Sequence, residues 1–210
     1  MSVLTDARTA IGGLSAPGKM PCHAWSIPAA ACHVGGKLRQ IPGSVCANCY
    51  AWKGRYPFQN VQTALYRRLA ASKKTGFVDN MVRAINGAPY FRWFDSGDIQ
   101  SSGMLSDIAD IARATPKTMH WLPTRELKIV RDYSKIHDIP DNLIIRLSAT
   151  MVDGKPPAVS RGKSRKFNTS TVHTGKPIGT VCPANQQGGK CNNCRACWNR
   201  SIKNISYPSH

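Results

Sequence analysis

The stretch Tyr90-Phe91-Arg92-Trp93-Phe94-Asp95-Ser96-Gly97-Asp98 decides the fold. An aromatic-rich run this short suits a strand, and the turn-forming residues after it end that strand at once. The pattern returns twice. Met119-His120-Trp121-Leu122 is closed by Pro123-Thr124-Arg125-Glu126, and Leu143-Ile144-Ile145-Arg146-Leu147 by Ser148-Ala149-Thr150. Between them lie two helical patterns. Met104, Leu105, Ile108, Ile111 and Ala112 form the first, opening near Ser101 or Ser102; Leu127, Ile129, Val130 and Tyr133 form the second. Strand, helix, strand, helix, strand demands right-handed crossovers and predicts an α/β fold with a short, partial barrel-like parallel sheet.

Ligands of parallel sheets sit at the carboxyl ends of the strands. The residues just past the three predicted strands are Asp95, Ser96 and Asp98; Thr124, Arg125 and Glu126; and Ser148 and Thr150. Three polar clusters on one edge predict a pocket there, into which His120 could point. The plainer reading of Asp95 and Asp98 is capping of the following helix, worth ~1 kcal/mol. That of Arg125 is a surface ion pair.

Working outward, residues 1–210 read as a single domain whose α/β core is 61–150. Its first part is a helical pattern capped by Asn60, with Val61, Leu65 and Leu69 inward and Arg67 and Arg68 on the wet side. Phe77, Met81, Val82 and Ile85 follow, ended by Asn86-Gly87 and Pro89. Residues 1–60 look irregular and cysteine-rich. Residues 151–181 read as a basic loop carrying Lys155, Arg161, Lys163, Arg165, Lys166 and Lys176 among Pro156, Pro157, Gly162 and Gly175. Residues 182–210 are a second cysteine-rich segment.

The eight cysteines fall into two groups with none between residues 50 and 181. Cys182-Pro183 with Cys191-x2-Cys194-x2-Cys197-Trp198 is the denser group; Cys22, Cys32 and Cys46-x2-Cys49 form the looser one. Disulfides suit short exported chains, and Met1 to Arg8 hold no apolar export signal. Paired Cys-x2-Cys spacings also suit structural zinc at one site. Three thiolates on one tight loop plus a Pro-flanked cysteine favour an iron–sulfur cluster, one or two per chain. His23 and His33 each follow a cysteine and could replace a thiol. A centre joining residues near 46 to residues near 194 would clip the termini together.

Lys and Arg number 29 against 11 Asp and Glu, giving a formal charge of +18. Such a balance attracts polyanions, so nucleic acid is a candidate partner, with Trp25, Trp52, Tyr56 and Trp198 as candidate base-stacking platforms. No apolar run reaches the length of a membrane span.

The chain resembles the gene product 88-like proteins of bacteriophages. The likeness is carried by Lys19-Met20-Pro21, Ser26-Ile27-Pro28-Ala29, Pro42 to Ala51, Lys53-Gly54 and Asn60-Val61-Gln62. It continues through Phe91 to Asp98, His120 to Glu126 and Asn142 to Ala149, and on to Cys197-Trp198. The resemblance implies a phage iron–sulfur protein made in the host bacterial cytoplasm. A looser likeness is to radical S-adenosylmethionine enzymes. It departs from them in lacking their three-residue gap before the cysteine pair, since Cys32 lies well upstream of Cys46, and in lacking a glycine-rich stretch after the first strand.

Three functions follow as expectations. In the first, a 4Fe-4S cluster on Cys32, Cys46 and Cys49, with Cys22 standing aside, leaves one iron open as a Lewis acid. It would hydrolyse a small-molecule substrate such as an ester, with Asp95 and Asp98 as base and orienting group, Arg125 as anion holder and Ser148 as a weaker candidate. In the second, radical or redox chemistry uses S-adenosylmethionine on the same scaffold. In the third, metal-stapled ends frame a nucleic-acid-binding surface without catalysis. Under all three, Cys182, Cys191, Cys194 and Cys197 hold one metal site.

Overall fold

The computed structural model describes residues 3–85, 87–158, 160–161 and 165–209. Asn86, Gly162 and Lys163, singled out above, lie outside them. In chain order the elements are α1 (Val3–Ala10), β1 (Ala24–Trp25), α2 (His33–Leu38), α3 (Gln59–Ala71), α4 (Phe77–Ile85), β2 (Tyr90–Trp93), α5 (Ser102–Ala114), β3 (Met119–Thr124), α6 (Leu127–Ile136) and β4 (Leu143–Val152). After these come β5 (Ser160–Arg161), β6 (Arg165–Lys166), β7 (Asn168–His173), β8 (Thr180–Val181) and β9 (Asn204–Pro208).

The expected α/β alternation is present, in a larger sheet. Seven strands run in the order β1-β2-β3-β4-β7-β9-β8, every neighbouring pair parallel, and the sheet is open. The strands read from the sequence, β2 to β4, are its centre. Two of them run further than expected: β3 takes in Pro123 and Thr124, and β4 continues to Val152. Ser148 and Thr150 therefore lie inside a strand, not beyond one. The supposed basic loop holds an antiparallel β5–β6 ribbon, β7 and β8. The supposedly irregular first sixty residues hold α1, β1 and α2.

Other boundaries moved for local reasons. Phe58, not Asn60, is the N-cap of α3; the Asn60 amide oxygen accepts instead from the next residue, Val61 N, at 2.9 Å. Arg68 is buried, its Nε donating to Gly13 O at 3.0 Å. The loop at Gly12 crosses α3 so closely that a Cβ there would stand 2.9 Å from Arg68 Cα. Ser101 caps α5 as expected, accepting from Met104 N at 3.1 Å. Asp95 and Asp98 are thereby free of a capping role.

The parallel register sorts side chains into two layers, since residues opposite one another share a face. Phe91, His120 and Leu143 stand in one row. That face packs with Leu105, Ile108 and Ile111 of α5 and Val130 and Tyr133 of α6 into the apolar core. Successive right-handed crossovers in one direction put both helices on this side. The other face carries Arg92 beside Trp121, and Arg146 beside Asn168. A parallel sheet needs both faces covered. On this second side the cover is the C-terminal cysteine segment: Trp198 packs edge-on against Trp121 at 5.3 Å and Tyr90 at 5.4 Å and donates to Phe91 O at 2.9 Å.

Arg146 fastens that cover. It is 0% exposed. Its Nε donates to Cys197 O at 3.0 Å, Nη1 to Ile202 O at 2.9 Å, and Nη2 to Ala196 O and Asn199 O, both at 2.8 Å. One guanidinium thus fixes the backbone from 196 to 202. Removing it leaves Cys197 O without a donor and takes one donor each from Ala196 O, Asn199 O and Ile202 O, which keep Asn199 N, Ile202 N and Asn168 Nδ2. A hydrogen bond to a charged donor contributes about 1.5–3 kcal/mol. Arg146→Met is expected to lower unfolding free energy by about 3 kcal/mol or more. Arg146→Lys, with three donors in place of five, should lose less. Urea denaturation measures both, and an unchanged midpoint for Arg146→Met would contradict the clamp.

Candidate metal centres

Cys32, Cys46 and Cys49 meet above the carboxyl ends of β3 and β4. Cys32 is the residue before α2, and Glu126, from the loop after β3, accepts from Val34 N in the first turn of that helix at 2.8 Å. Residues 43–45 run along the end of β4: Val45 N donates to Thr150 O at 2.9 Å and Val152 N to Gly43 O at 3.0 Å. These ties bring the first two thiols together around Gly35. A Cβ on Gly35 would stand 3.1 Å from Cys32 Cβ, 3.5 Å from Cys46 Sγ and 3.7 Å from Cys32 Sγ. Glycine leaves that space to the sulfurs. Cys49 completes the set, close enough to bear electrostatically on both.

Asp98 and Arg125 flank these thiols. Asp98 is buried; its Oδ1 accepts from Ile99 N at 2.8 Å and its Oδ2 from Arg125 N at 2.9 Å, so it braces the loop after β2 against the loop after β3. Burial raises its carboxyl to about 6, against the backbone N–H groups that favour the charged form. Arg125 anchors through Nε to Ala149 O at 3.3 Å. Burial pushes the Cys32 thiol up to about 12, with Asp98 and the neighbouring cysteines adding to it and Arg125 opposing. Burial likewise raises Cys46, with Arg125 as the opposing charge. Asp98 and Arg125 thus lie beside Cys32 and Cys46 on this edge.

The remaining five cysteines form a second set on the sheet's other face. Cys182, Cys191, Cys194 and Cys197 line one cavity with Pro183, Ala184, Trp198 and Ile205. Cys22 joins them rather than the N-terminal set, so the division is three and five, not four and four. Residues 19–22 lie over the cassette: Cys191 N donates to Lys19 O at 2.8 Å, and Arg92, Cys191, Arg195 and Cys197 all bear on the Cys22 thiol, which burial raises to about 12. Cys197 Sγ pairs with Tyr207 Oη at 3.3 Å, and burial raises its thiol to about 11. Cys46 and Cys194 stand in different sets, so no single centre joins them. One terminal clip does exist, through Cys22.

All eight cysteines are free thiols. Among the described residues, no three His, Cys, Asp or Glu side chains close on a point where one metal ion would sit. His23 contacts Ser15 O through Nδ1 at 3.3 Å, and His33 is exposed on α2.

Several expected site residues sit elsewhere. The Asp95 Oδ2 accepts from Tyr56 Oη at 3.2 Å, its carbonyl from Tyr50 Oη at 2.5 Å, and its N–H donates to Ser26 Oγ at 3.0 Å. It stands near Arg92. Ser148 is buried in β4 and accepts from Ser170 Oγ at 3.2 Å. His120 points into the helical side of the core, with Nδ1 accepting from Trp93 Nε1 at 3.3 Å and Nε2 facing Thr115 Oγ1 at 2.9 Å. Burial lowers it to about 3, so it is neutral. Trp25 and Trp198 are buried and cannot stack on bases. Trp52 is 40% exposed, and the Arg39 guanidinium lies 4.0 Å from its ring centre.

Backbone strain marks the same edge. Phe94, the residue just past β2, has φ 54, and a Cβ on Gly97 would stand 2.7 Å from Ile27 O. The sequence reading missed Gly35, Arg92, Arg146 and Tyr207.

The arrangement is an open parallel sheet with a three-thiol set on its carboxyl edge and a five-thiol set across one face. The family model for gene product 88 matches residues 4–200, and the chain belongs to that bacteriophage family. No curated protein and no solved structure matches it. Among the described residues no helix is long and apolar enough to cross a membrane.

Gly35→Ala places a methyl group where the Cys32 and Cys46 sulfurs converge. It is expected to lower metal uptake by the N-terminal set, through the tight 3.1 Å approach to Cys32 Cβ, and to leave uptake by the C-terminal set unchanged. Metal content per chain measures this, and full retention would contradict the role given to Gly35.

Proposed function

We propose that this is a phage iron–sulfur enzyme of the host cytoplasm, where thiols stay reduced. It holds a 4Fe-4S cluster at each cysteine set and uses the N-terminal one in hydrolysis of a small substrate such as an ester. The observation that carries the reading is the convergence of Cys32, Cys46 and Cys49 beside buried Asp98 and Arg125. The donor sets fit the group. A cubane takes one thiolate per iron, so its ligands ring a space instead of meeting at one point, and Cys191-x2-Cys194-x2-Cys197 is the spacing such clusters use. Three protein ligands leave one iron to polarise a substrate oxygen or water when the cluster is bound.

The chain's own residues supply the rest. Asp98, raised toward neutrality, can take a proton from water at neutral pH and return it to a leaving group. Its two backbone hydrogen bonds fix the carboxylate plane. Arg125, anchored through Nε beside the thiol set, is placed to receive a carboxylate or a developing oxyanion.

Asp98 must be ionised to act as base, so the hydrolytic rate is expected to rise as pH increases through about 6. Asp98→Asn should lower kcat by about 10²-fold or more and remove that limb, while leaving the visible chromophore of anaerobically prepared protein intact. An unchanged rate would remove Asp98 from the mechanism. Activity that requires S-adenosylmethionine and a reductant would replace hydrolysis with radical chemistry. Colourless protein holding stoichiometric zinc would retire the iron–sulfur reading.

A further inference from the structure

Arg92 is a buried cation with few close hydrogen-bond partners. It is 9% exposed, and among the described residues it makes no ion pair. Its contacts are long: Nη1 to Met20 Sδ at 3.2 Å, Nη2 to Tyr50 Oη and to Phe94 O, both at 3.4 Å. Its Nε is buried with no partner. Arg146, by contrast, meets four close carbonyls. An unpaired buried charge is among the most costly features a fold can carry.

A second orphan lies beside it. Trp121, its register partner on β3, has a buried Nε1 with no partner, and the Arg92 guanidinium lies 4.5 Å from the Trp121 ring centre. Both N–H groups can only donate. Both residues belong to the face that the five-thiol set covers: Trp121 packs on Trp198, which lines the thiol cavity, and Arg92 bears on Cys22, Cys191 and Cys197. The Tyr207 hydroxyl is already paired with Cys197 Sγ.

We infer that Arg92, with Trp121 beside it, supplies the positive charge and N–H donors for an anionic sulfur-ligated centre held by the C-terminal cysteines, and so sets that centre's reduction potential. A cluster ligated by four thiolates carries net negative charge, and hydrogen bonds to its sulfurs raise its potential. The inference rests on the iron–sulfur reading of the C-terminal set and makes Arg92 a positioning and tuning residue. Asp95, near enough to feel Arg92 and with Oδ1 unpartnered, would moderate its charge.

The test is a redox titration of reconstituted full-length protein, following the visible chromophore of the C-terminal set in a Cys46→Ser background that lacks the other centre. Arg92→Met and Trp121→Phe should each make the centre harder to reduce. Arg92→Met should shift the oxidised-to-reduced ratio at fixed potential at least tenfold, 59 mV for a one-electron couple. Arg92→Lys, which keeps the charge, should fall between wild type and Arg92→Met. Should Arg92→Met fail to fold, Arg92→Lys and Trp121→Phe decide. Coloured variants with the wild-type potential would overturn this inference and leave the iron–sulfur reading standing. A parent protein that binds no iron would overturn both.

Discussion

Arg146 is placed where a strand residue facing an apolar layer would normally be aliphatic, and the reason is the backbone it holds. Residues 196–202 contain no strand or α-helix, and only turn bonds such as Asn199 N to Ala196 O and Ile202 N to Asn199 O tie their backbone, yet Trp198 among them is buried against the sheet. Buried carbonyls must find donors. A guanidinium offers five in a rigid fork, more than any other side chain. By taking Cys197 O, Ala196 O, Asn199 O and Ile202 O together, Arg146 turns an irregular loop into the second covering layer of a parallel sheet. The five-thiol set depends on that layer, because Cys197 and Trp198 are part of it.

The sheet then serves two sites in different ways. Its carboxyl edge presents loops, as in other parallel α/β folds, and these receive the N-terminal segment: Glu126 takes the first turn of α2, and the end of β4 takes residues 43–45. Its uncovered face receives the C-terminal cassette. Arg92 lies between the two, contacting Tyr50, the residue after Cys49, while bearing on Cys22 and Cys197. Arg92 and the backbone after Cys49 thus meet at the end of β2, with Asp95 close by.

The parallel core was legible because β2, β3 and β4 are short apolar runs separated by helical periodicity, and the start of α5 was narrowed to Ser101 or Ser102, of which Ser101 is the cap. Asp98 and Arg125 were legible as polar residues following strands, although β3 runs two residues further than the sequence suggests. The outer strands were not. β1 and β8 are two residues each, and Thr169, Thr171 and Val172 of β7 follow a strongly basic stretch that reads as loop. Ser148 was misplaced because β4 runs on past Leu147 to pair with β7. The partition of thiols was half legible: Cys-x2-Cys spacing joins Cys46 to Cys49, but nothing local tells that Cys22 crosses to the cassette. Arg68, Arg92 and Arg146 read as surface charge or strand filler, since burial of an arginine depends on distant carbonyls and sulfurs that the local sequence does not show.

The central claim is that folding gathers the eight cysteines into two separate sulfur-ligated centres. Iron and acid-labile sulfide counted in anaerobically prepared wild type, Cys46→Ser and Cys191→Ser proteins test it most directly. The account predicts about eight of each per wild-type chain and about four in each variant, as two independent 4Fe-4S centres require. Loss of all iron in either single variant, or a wild-type count that neither substitution lowers, would contradict it.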